Sequence, residues 1–360
     1  MERVHGRPWI DQVMGCHMAN PSEVFRAMAD GDPYPIKAFI ALGNNALLSY
    51  PNQHQILRGL RNQDLIVAHE IFMTPTAMLA DYVLPGDVFT ERNHIADGWG
   101  WSGRLSLQQA VVEPPAQASS TFRFWTDLAH AMGFGEHFPW GSLEEVLDHR
   151  LEPSGRTWRD FESQYLVDAG VPRFRKYRTT GFATPSGKVE LSSSILAELG
   201  FDPLPYHRPA PAPTADYPYA VFSGVREDPF FQTGQRNIGV LRRRMPAPHL
   251  YVHPADAERD GLVDGGWARL ETAHGHVTAK ISVQDTIRQG HVRVPHGWWY
   301  PETRGSLDLA GAFVSSDAVL TVDTDDLLDH EQGIPHFKGY PGRVVPCDPP
   351  DGMSKTTLGG

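Results

Sequence analysis

Two hydrophobic segments near the start of the chain each end in short polar side chains that could bind a ligand. Residues 36–42 are followed by Gly43-Asn44-Asn45, and residues 65–68 are followed by His69-Glu70 and Thr74-Pro75-Thr76. Both segments predict buried strands of an open parallel α/β sheet. In such sheets, ligands lie beyond the carboxyl ends of the strands. We therefore expect these side chains to hold part of a large nucleotide-bearing cofactor.

The elements that would position these residues alternate between helix and strand. The pattern predicts a helix capped by Ser22, a helix over residues 51–61, a helix opened by Thr74-Pro75 and a third strand over residues 80–85. A βαβαβ order favours a right-handed parallel arrangement. Residues 93–103 are rich in glycine and tryptophan, which predicts a loop.

The second half of the chain has a different pattern. Amphipathic helices are predicted over residues 121–132 and 143–151, and residues 203–218 contain six prolines, typical of a semi-rigid linker or arm. Short strands separated by glycines follow at residues 219–223, 249–253, 267–272, 276–283 and 291–295. This spacing predicts a small β-barrel or sandwich.

Composition excludes several classes of protein. A length of 360 residues allows two or more domains, and a net charge of -11 argues against nucleic acid as the main partner. The two cysteines, Cys16 and Cys347, have no CxxC spacing, which argues against a disulfide framework, a zinc ribbon or an iron–sulfur cluster held within the chain. No apolar run approaches the roughly 18 residues of a membrane span, so we expect no membrane insertion by this chain.

Several motifs together resemble the C-terminal part of the molybdopterin oxidoreductases, the family that includes dimethyl sulfoxide reductase and formate dehydrogenase. The motifs are Leu42-Gly43-Asn44-Asn45, residues 72–77, 80–86 and 184–191, Pro203-Leu204-Pro205-Tyr206, residues 252–257, 261–265 and 296–301. Residues 34–37 and 74–77 look most similar to the branch that includes acetylene hydratase and enzymes like thiosulfate or polysulfide reductase.

The resemblance implies a partial open parallel α/β sheet followed by a double-psi-type β-barrel. It divides the chain into an α/β part over residues 1–115, a connecting segment over residues 116–215 and a dinucleotide-binding barrel over residues 216–360. The implied cofactor is bis(molybdopterin guanine dinucleotide) with molybdenum or tungsten, and an iron–sulfur cluster is expected only in an upstream region that this chain lacks. No residue of this chain is expected to be a metal ligand.

The resemblance also implies which residues contact the cofactor. In the α/β part they are Gly43, Asn44, Asn45, Glu70, Thr74, Thr76 and Asp81. For Asp81, a structural role is an alternative to cofactor contact. In the barrel they are Ser223, Val225, Arg226, Gln232, Thr233, His296, Trp298, Phe337 and Lys338. One departure from the family is Ser315-Ser316-Asp317, where an asparagine cluster is usual, so one amide contact to the pterin is in question.

Simpler roles compete with the functional ones at several positions. Cys16 beside His17 is more commonly a buried cysteine than a metal ligand, and Trp99 and Trp101 could either flank a substrate funnel or plug a loop. Arg226 could bind a phosphate or form a salt bridge with Glu227 or Asp228. Lys188 lacks the glycine spacing of a phosphate loop, which favours a turn.

Two functions of different classes follow. The first is the cofactor-holding portion of a two-electron oxidoreductase, inactive by itself, with the upstream half of the enzyme and an electron-transfer subunit as partners. The second is a non-catalytic pterin- or nucleotide-binding module, stand-alone or part of a split enzyme, and a non-redox hydratase using the same cofactor is a further alternative. The chain as written predicts a cytoplasmic location, or a periplasmic one if a preceding segment carries an export signal.

Overall fold

The computed structural model describes residues 19–96, 104–161, 166–168, 174–207, 209–303, 306–329, 331 and 333–350. They form two compact units, one from the described parts of residues 1–67, 73–82 and 190–360, and the other from residues 68–72 and 83–189. The first unit combines the start of the chain with its C-terminal part, so the units cut across the three-part division above. That division stays a prediction about family domains.

Helices and strands alternate in the first seventy residues and again in residues 219–271. The helices are α1 (Pro21–Asp30), α2 (Ala46–Ser49), α3 (Gln53–Arg61), α4 (Thr121–Ala131), α5 (Leu143–Leu151), α6 (Tyr177–Thr180), α7 (Ser194–Glu198), α8 (Gly239–Arg244), α9 (Pro254–Arg259) and α10 (Ser306–Ser315). The strands are β1 (Ala38–Leu42), β2 (Leu65–Glu70), β3 (Tyr82–Pro85), β4 (His94–Ala96), β5 (Arg104–Gln108), β6 (Leu166–Asp168), β7 (Tyr219–Val225), β8 (His249–Val252), β9 (Trp267–Glu271), β10 (His276–Val283), β11 (His291–Pro295) and β12 (Lys338–Pro346). None of these helices has the length and apolar character needed to cross a bilayer.

The first three strands form a parallel sheet in the order β1-β2-β3, which confirms the predicted α/β start. Two local predictions were wrong. Asn20 rather than Ser22 caps α1, because its side chain accepts a 2.9 Å hydrogen bond from the Ser22 amide. The helix predicted after Thr74-Pro75 is a single 3₁₀ turn over Ala77–Leu79, since the Asp81 amide bonds to the carbonyl of Ile66 and draws the chain into β3.

A closed six-stranded barrel in the order β10-β8-β11-β7-β12-β9 dominates the C-terminal part of the first unit. Five of its strands were predicted, and their existence is confirmed. The sixth, β12, was missed because two prolines and two glycines in residues 338–346 argue against a strand. It pairs with β7 and β9, and Gly342 is required there because a Cβ would lie 2.4 Å from Val221 Cγ2.

The barrel core follows the period-two pattern of its strands. In β10, Val277, Ala279 and Ile281 are buried, while the residues between them are more exposed. A separate apolar cluster packs the α/β segment against the chain after β11. It contains Phe25, Met28, Ala46, Leu47, Leu48, Ile56, Leu60, Ile66, Trp299, Ala310 and Ala312. Within the first unit, this cluster fixes the end of β1 relative to the segment that leaves the barrel.

The second unit contains a three-stranded antiparallel sheet in the order β4-β5-β6. Residues 94–96 were predicted as loop, but they form β4 because Ile95 is buried in a core with Leu107, Leu147 and Phe161. The remainder of that predicted loop, residues 97–103, lies outside the described residues. The turn predicted at Lys188 is present, closed by a 3.0 Å hydrogen bond from the Gly187 amide to the Thr184 carbonyl.

We expect Leu250→Ala to reduce the free energy of unfolding by about 2–5 kcal/mol, because the fully buried Leu250 side chain fills the barrel interior. Urea denaturation followed by circular dichroism measures the loss. The control is Val263→Ala, at a side chain that is 69% exposed, where a change within about 0.5 kcal/mol is expected. Equal effects of the two substitutions would contradict the assignment of the barrel core.

Candidate cofactor-binding site

A buried asparagine follows β1 and lies in contact with the segment that follows β2. Asn45 Oδ1 accepts hydrogen bonds from the amide and hydroxyl of Thr76, at 3.3 and 2.9 Å, and Thr76 Oγ1 accepts one from the Leu47 amide at 3.0 Å. Asn45 is 6% exposed and Thr76 is fully buried. Because a backbone N–H can only donate, these bonds fix which end of the Asn45 amide is the oxygen.

The Nδ2 group of Asn45 is therefore a donor whose partner the described residues do not provide. This nitrogen is buried and has no hydrogen bond within the described part of the chain. Leaving a buried donor unpaired costs about 1–3 kcal/mol. An acceptor from a bound ligand would remove this cost, which makes Asn45 a candidate ligand contact.

The other predicted residues of the α/β part have different environments. Gly43 has a φ of +55° and Asn44 beside it is half-buried. The hydroxyl of Thr74 accepts from the Ala77 amide at 3.2 Å, and Asp81 Oδ2 accepts from the Ile66 amide at 2.7 Å, so both have structural bonds. Glu70 belongs to the second compact unit, and burial raises the pKa of its carboxyl against the opposing effect of the Ile71 amide.

A buried carboxylate in the barrel, Asp317, gathers three donors. Its Oδ2 accepts from the Gly224 amide at 2.8 Å, its Oδ1 accepts from the Gly297 amide at 2.7 Å, and His296 Nδ1 lies 3.1 Å from both oxygens. Asp317 is 2% exposed and His296 is 8% exposed. Burial lowers the pKa of the His296 imidazole, but the charge and hydrogen bond of Asp317 outweigh burial, so the pKa lies above its ordinary value.

Several of the predicted barrel residues meet around Asp317. The amide and hydroxyl of Ser223 donate to the Phe337 carbonyl at 3.0 and 2.9 Å, and the Val225 carbonyl accepts from the His296 amide at 2.9 Å. These bonds bring the end of β7, the end of β11 and the start of β12 together. The structure thus brings Ser223, Val225, His296 and Phe337 together, and their contact with the cofactor stays a prediction.

A buried arginine that the sequence did not indicate supports the same group. Arg236 is 1% exposed and donates to the carbonyls of Gln232 and His296, at 2.5 and 2.8 Å. Burial, and then the charge of Arg242, lower its pKa to about 9, while Asp317 opposes the shift. An arginine in a polar loop is normally a surface residue, so no sequence signal distinguished it.

The remaining predicted barrel residues have varied contacts. The Arg226 guanidinium lies over the Phe231 ring at 4.6 Å. Its acidic neighbours bind other arginines: Glu227 binds Arg293, and Asp228 binds Arg244. Among the described residues, neither carboxylate forms the salt bridge with Arg226 that the sequence left open.

Trp298 and Thr233 are buried in the same part of the barrel. Trp298 is fully buried, with the guanidinium groups of Arg236 and Arg242 at 5.0 and 4.8 Å from its ring. The Thr233 carbonyl accepts from Trp299 Nε1 at 2.8 Å. Lys338 lines a separate cavity beside β12. Cys16, His17, Trp99 and Trp101 lie outside the described residues.

Comparison with known proteins identifies the family. A model of the molybdopterin oxidoreductase domain matches residues 17–131, and a model of the molydopterin dinucleotide binding domain matches residues 221–341. The two matches cover the sheet with Asn45 and the barrel with Asp317. The chain belongs to the molybdopterin oxidoreductase family, which confirms the family predicted from the sequence motifs.

Individual relatives agree with this assignment. Acetylene hydratase of Syntrophotalea acetylenica is 42% identical over 94% of this chain and 47% of its own length. The catalytic subunit of assimilatory nitrate reductase from Bacillus subtilis is 25% identical over 96% of this chain and 48% of its own. A solved structure of acetylene hydratase from Pelobacter acetylenicus superposes with a TM-score of 0.88 at 41% identity, over 96% of this chain and 49% of that one. The chain spans about half the length of the curated relatives it matches.

We expect Asp317→Asn to lower the pKa of His296 below its ordinary value. Burial and Arg236, which both lower that pKa, remain, while the carboxylate that raises it is removed. NMR titration of the histidine ring signals measures the change. Asp285→Asn, at an exposed position, is the matched control and leaves the titration unchanged.

The same pair predicts a pH-dependent stability. Because the folded pKa of His296 is raised, its contribution is fully present below the unfolded pKa of about 6.5 and is lost as the pH rises through the folded pKa. Unfolding free energies of the wild type and Asp317→Asn, measured across this window, should differ most on the acidic side. A difference that grows towards alkaline pH would contradict the prediction.

Proposed function

We propose that this chain is the C-terminal, cofactor-holding portion of a molybdopterin-dependent enzyme, and that the cofactor is bis(molybdopterin guanine dinucleotide) with molybdenum or tungsten. The observation that carries the proposal is the unpaired, buried Nδ2 donor of Asn45 at the end of β1. A guanine dinucleotide is rich in carbonyl, ring-nitrogen and phosphate acceptors, so its chemistry fits this donor. The end of a parallel strand is also where dinucleotides bind in open α/β sheets.

The cofactor would supply the reacting metal, and the residues of this chain would bind and orient it. Asn45 would donate from Nδ2 while Thr76 holds its oxygen. Asp317 binds His296 through Nδ1, which leaves Nε2 as the ring atom available to a ligand. Against the opposing effect of burial, Asp317 at Nδ1 raises the pKa of the His296 imidazole. His296 would then present Nε2 to a pterin.

Two reactions are consistent with this role. Two-electron redox chemistry is the general activity of the family, and the match to nitrate reductase supports it. Hydration without net redox is the second candidate, favoured by the higher identity to acetylene hydratase, 42% against 25%. We therefore rank hydration of an alkyne first. In either case, we propose that the preceding half of the enzyme provides the protein ligand to the metal and an iron–sulfur cluster.

We also infer that the barrel is of the double-psi type. In support, the barrel contains both parallel and antiparallel strand pairs. The pairs β10-β8 and β11-β7 are parallel, and the pairs β10-β9, β11-β8, β12-β7 and β12-β9 are antiparallel. For a redox reaction, an electron-transfer subunit would be a further partner. A stand-alone or split pterin-binding module is the competing proposal.

The experiment that tests the function compares this chain alone with the chain joined to the region encoded before it. Both proteins are produced in cells that make the cofactor. We expect no stoichiometric metal in the chain alone and one molybdenum or tungsten per joined protein, with GMP released on acid treatment. Metal analysis that finds one metal in the chain alone would contradict the proposal. Acetylene consumption without an added electron acceptor separates hydration from redox.

We expect Asn45→Asp to reduce the GMP content of the joined protein about tenfold or more. The new carboxylate can still accept from Thr76 but cannot donate to a ligand, and loss of a donor to a charged acceptor corresponds to about 1.5–3 kcal/mol. Gln117→Glu, at an exposed amide, is the control and retains wild-type GMP. Thermal unfolding of both variants confirms that they fold. Unchanged GMP in a folded Asn45→Asp protein would exclude Asn45 as a ligand contact.

A further inference from the structure

The proline-rich arm forms one wall of a cavity of about 330 Å³ in the first unit. Its other walls are the turn between β9 and β10 (residues 272–274), the segment 321–327 and the residues at the start of β12 (336–341). The size is at the lower end of the range of about 300–1,000 Å³ for small-molecule pockets. The arm thus does more than connect two parts of the chain.

The charged groups of this cavity are all potential cations. Its lining contains Lys338, His274 and His336, and none of its described residues is an aspartate or a glutamate. This is unusual for a chain whose net charge is -11. Within the described part of the chain, the Lys338 ammonium is in no salt bridge. The cavity can therefore provide a positive charge to an anionic ligand.

The walls are mainly flat and apolar. Proline rings from the arm and from β12 and the ring of Tyr217 contribute to the lining. Planar rings pack well against such surfaces, and aromatic pairs gain more than their buried area alone predicts. The lining therefore favours a ligand with one planar ring over a long flexible chain.

Two lining residues, Thr321 and Tyr340, carry a buried hydroxyl without a hydrogen-bond partner among the described residues. Thr321 is 5% exposed, and its Oγ1 is buried without a hydrogen bond within the described residues. By contrast, the hydroxyl of Thr272, also in the wall, donates to the Leu320 carbonyl at 2.7 Å. The backbone of Thr321 is fixed because its carbonyl accepts from the Asn52 amide at 2.9 Å. Contact between this hydroxyl and a ligand in the cavity therefore requires rotation about χ1 of Thr321.

We propose that this cavity binds a small aromatic monocarboxylate, with its ring between the arm and β12 and its carboxylate at Lys338 and the Thr321 hydroxyl. Asn45, His296 and Asp317 are not among the residues that line this cavity. Lys338, which the family resemblance places at the cofactor, would here bind the carboxylate of the small ligand.

The test measures binding of benzoate to the full chain by isothermal titration calorimetry, with benzamide as the neutral analogue of the same shape and cyclohexanecarboxylate as the non-planar acid. Benzoate is expected to bind at least tenfold more tightly than either. NMR contacts between the benzoate ring and the side chains of Tyr217 and Leu327 locate the ligand. Equal binding of benzoate and benzamide, or no binding of benzoate, would overturn the proposal.

Two variants test the polar contacts. Lys338→Met and Thr321→Val each remove one contact while retaining side-chain bulk. Lys338→Met should weaken benzoate about tenfold and leave benzamide unchanged, because only benzoate is charged, whereas Thr321→Val should weaken benzoate about tenfold. Lys37→Met and Thr286→Val, outside the cavity lining, are the matched controls and should leave both ligands unchanged. If a variant does not fold, the NMR contacts in the wild type still decide the location. Displacement of benzoate by GMP would assign the cavity to the nucleotide and overturn the proposal.

Discussion

A single buried carboxylate organises the functional end of the barrel. Asp317 accepts from the amides of Gly224 and Gly297 and binds the His296 ring. A buried charge is stable only when it is paired and fully hydrogen-bonded. The two segments that supply these donors, at Gly224 and at His296-Gly297, are distant from each other and from Asp317 in the chain. The hydrogen bonds to one carboxylate therefore fix their relative positions.

The segment that follows β11 also connects the barrel to the α/β part of the first unit. Directly after His296 and Gly297, the chain places Trp298 against two arginines and Trp299 in the apolar cluster with Leu47 and Leu48. Leu47 in turn donates to Thr76, which holds the oxygen of Asn45. Apolar packing and a short series of hydrogen bonds therefore support both the asparagine donor and the His296 imidazole.

Sequence reasoning succeeded where a local pattern had one physical explanation. Short strand-like segments separated by glycines predicted five of the six barrel strands, and the two hydrophobic runs predicted β1 and β2. It failed where tertiary contacts overrode the local signal. Proline and glycine in residues 338–346 argued against a strand, yet β12 closes the barrel between β7 and β9. Ile95 lay in a segment predicted as loop, yet burial in a small core makes it part of β4.

The sequence by itself determined the family, the α/β start, the β-rich second half and the residues expected to face the cofactor, because periodicity and motif spacing are local properties of the chain. Only the tertiary structure decided which of those residues meet. It joined Asn45 to Thr76, made Asp317 the partner of His296, and buried Arg236 with a hydrogen bond to the His296 carbonyl. Pairing of buried polar groups depends on distances between segments far apart in sequence, and no local pattern encodes those distances.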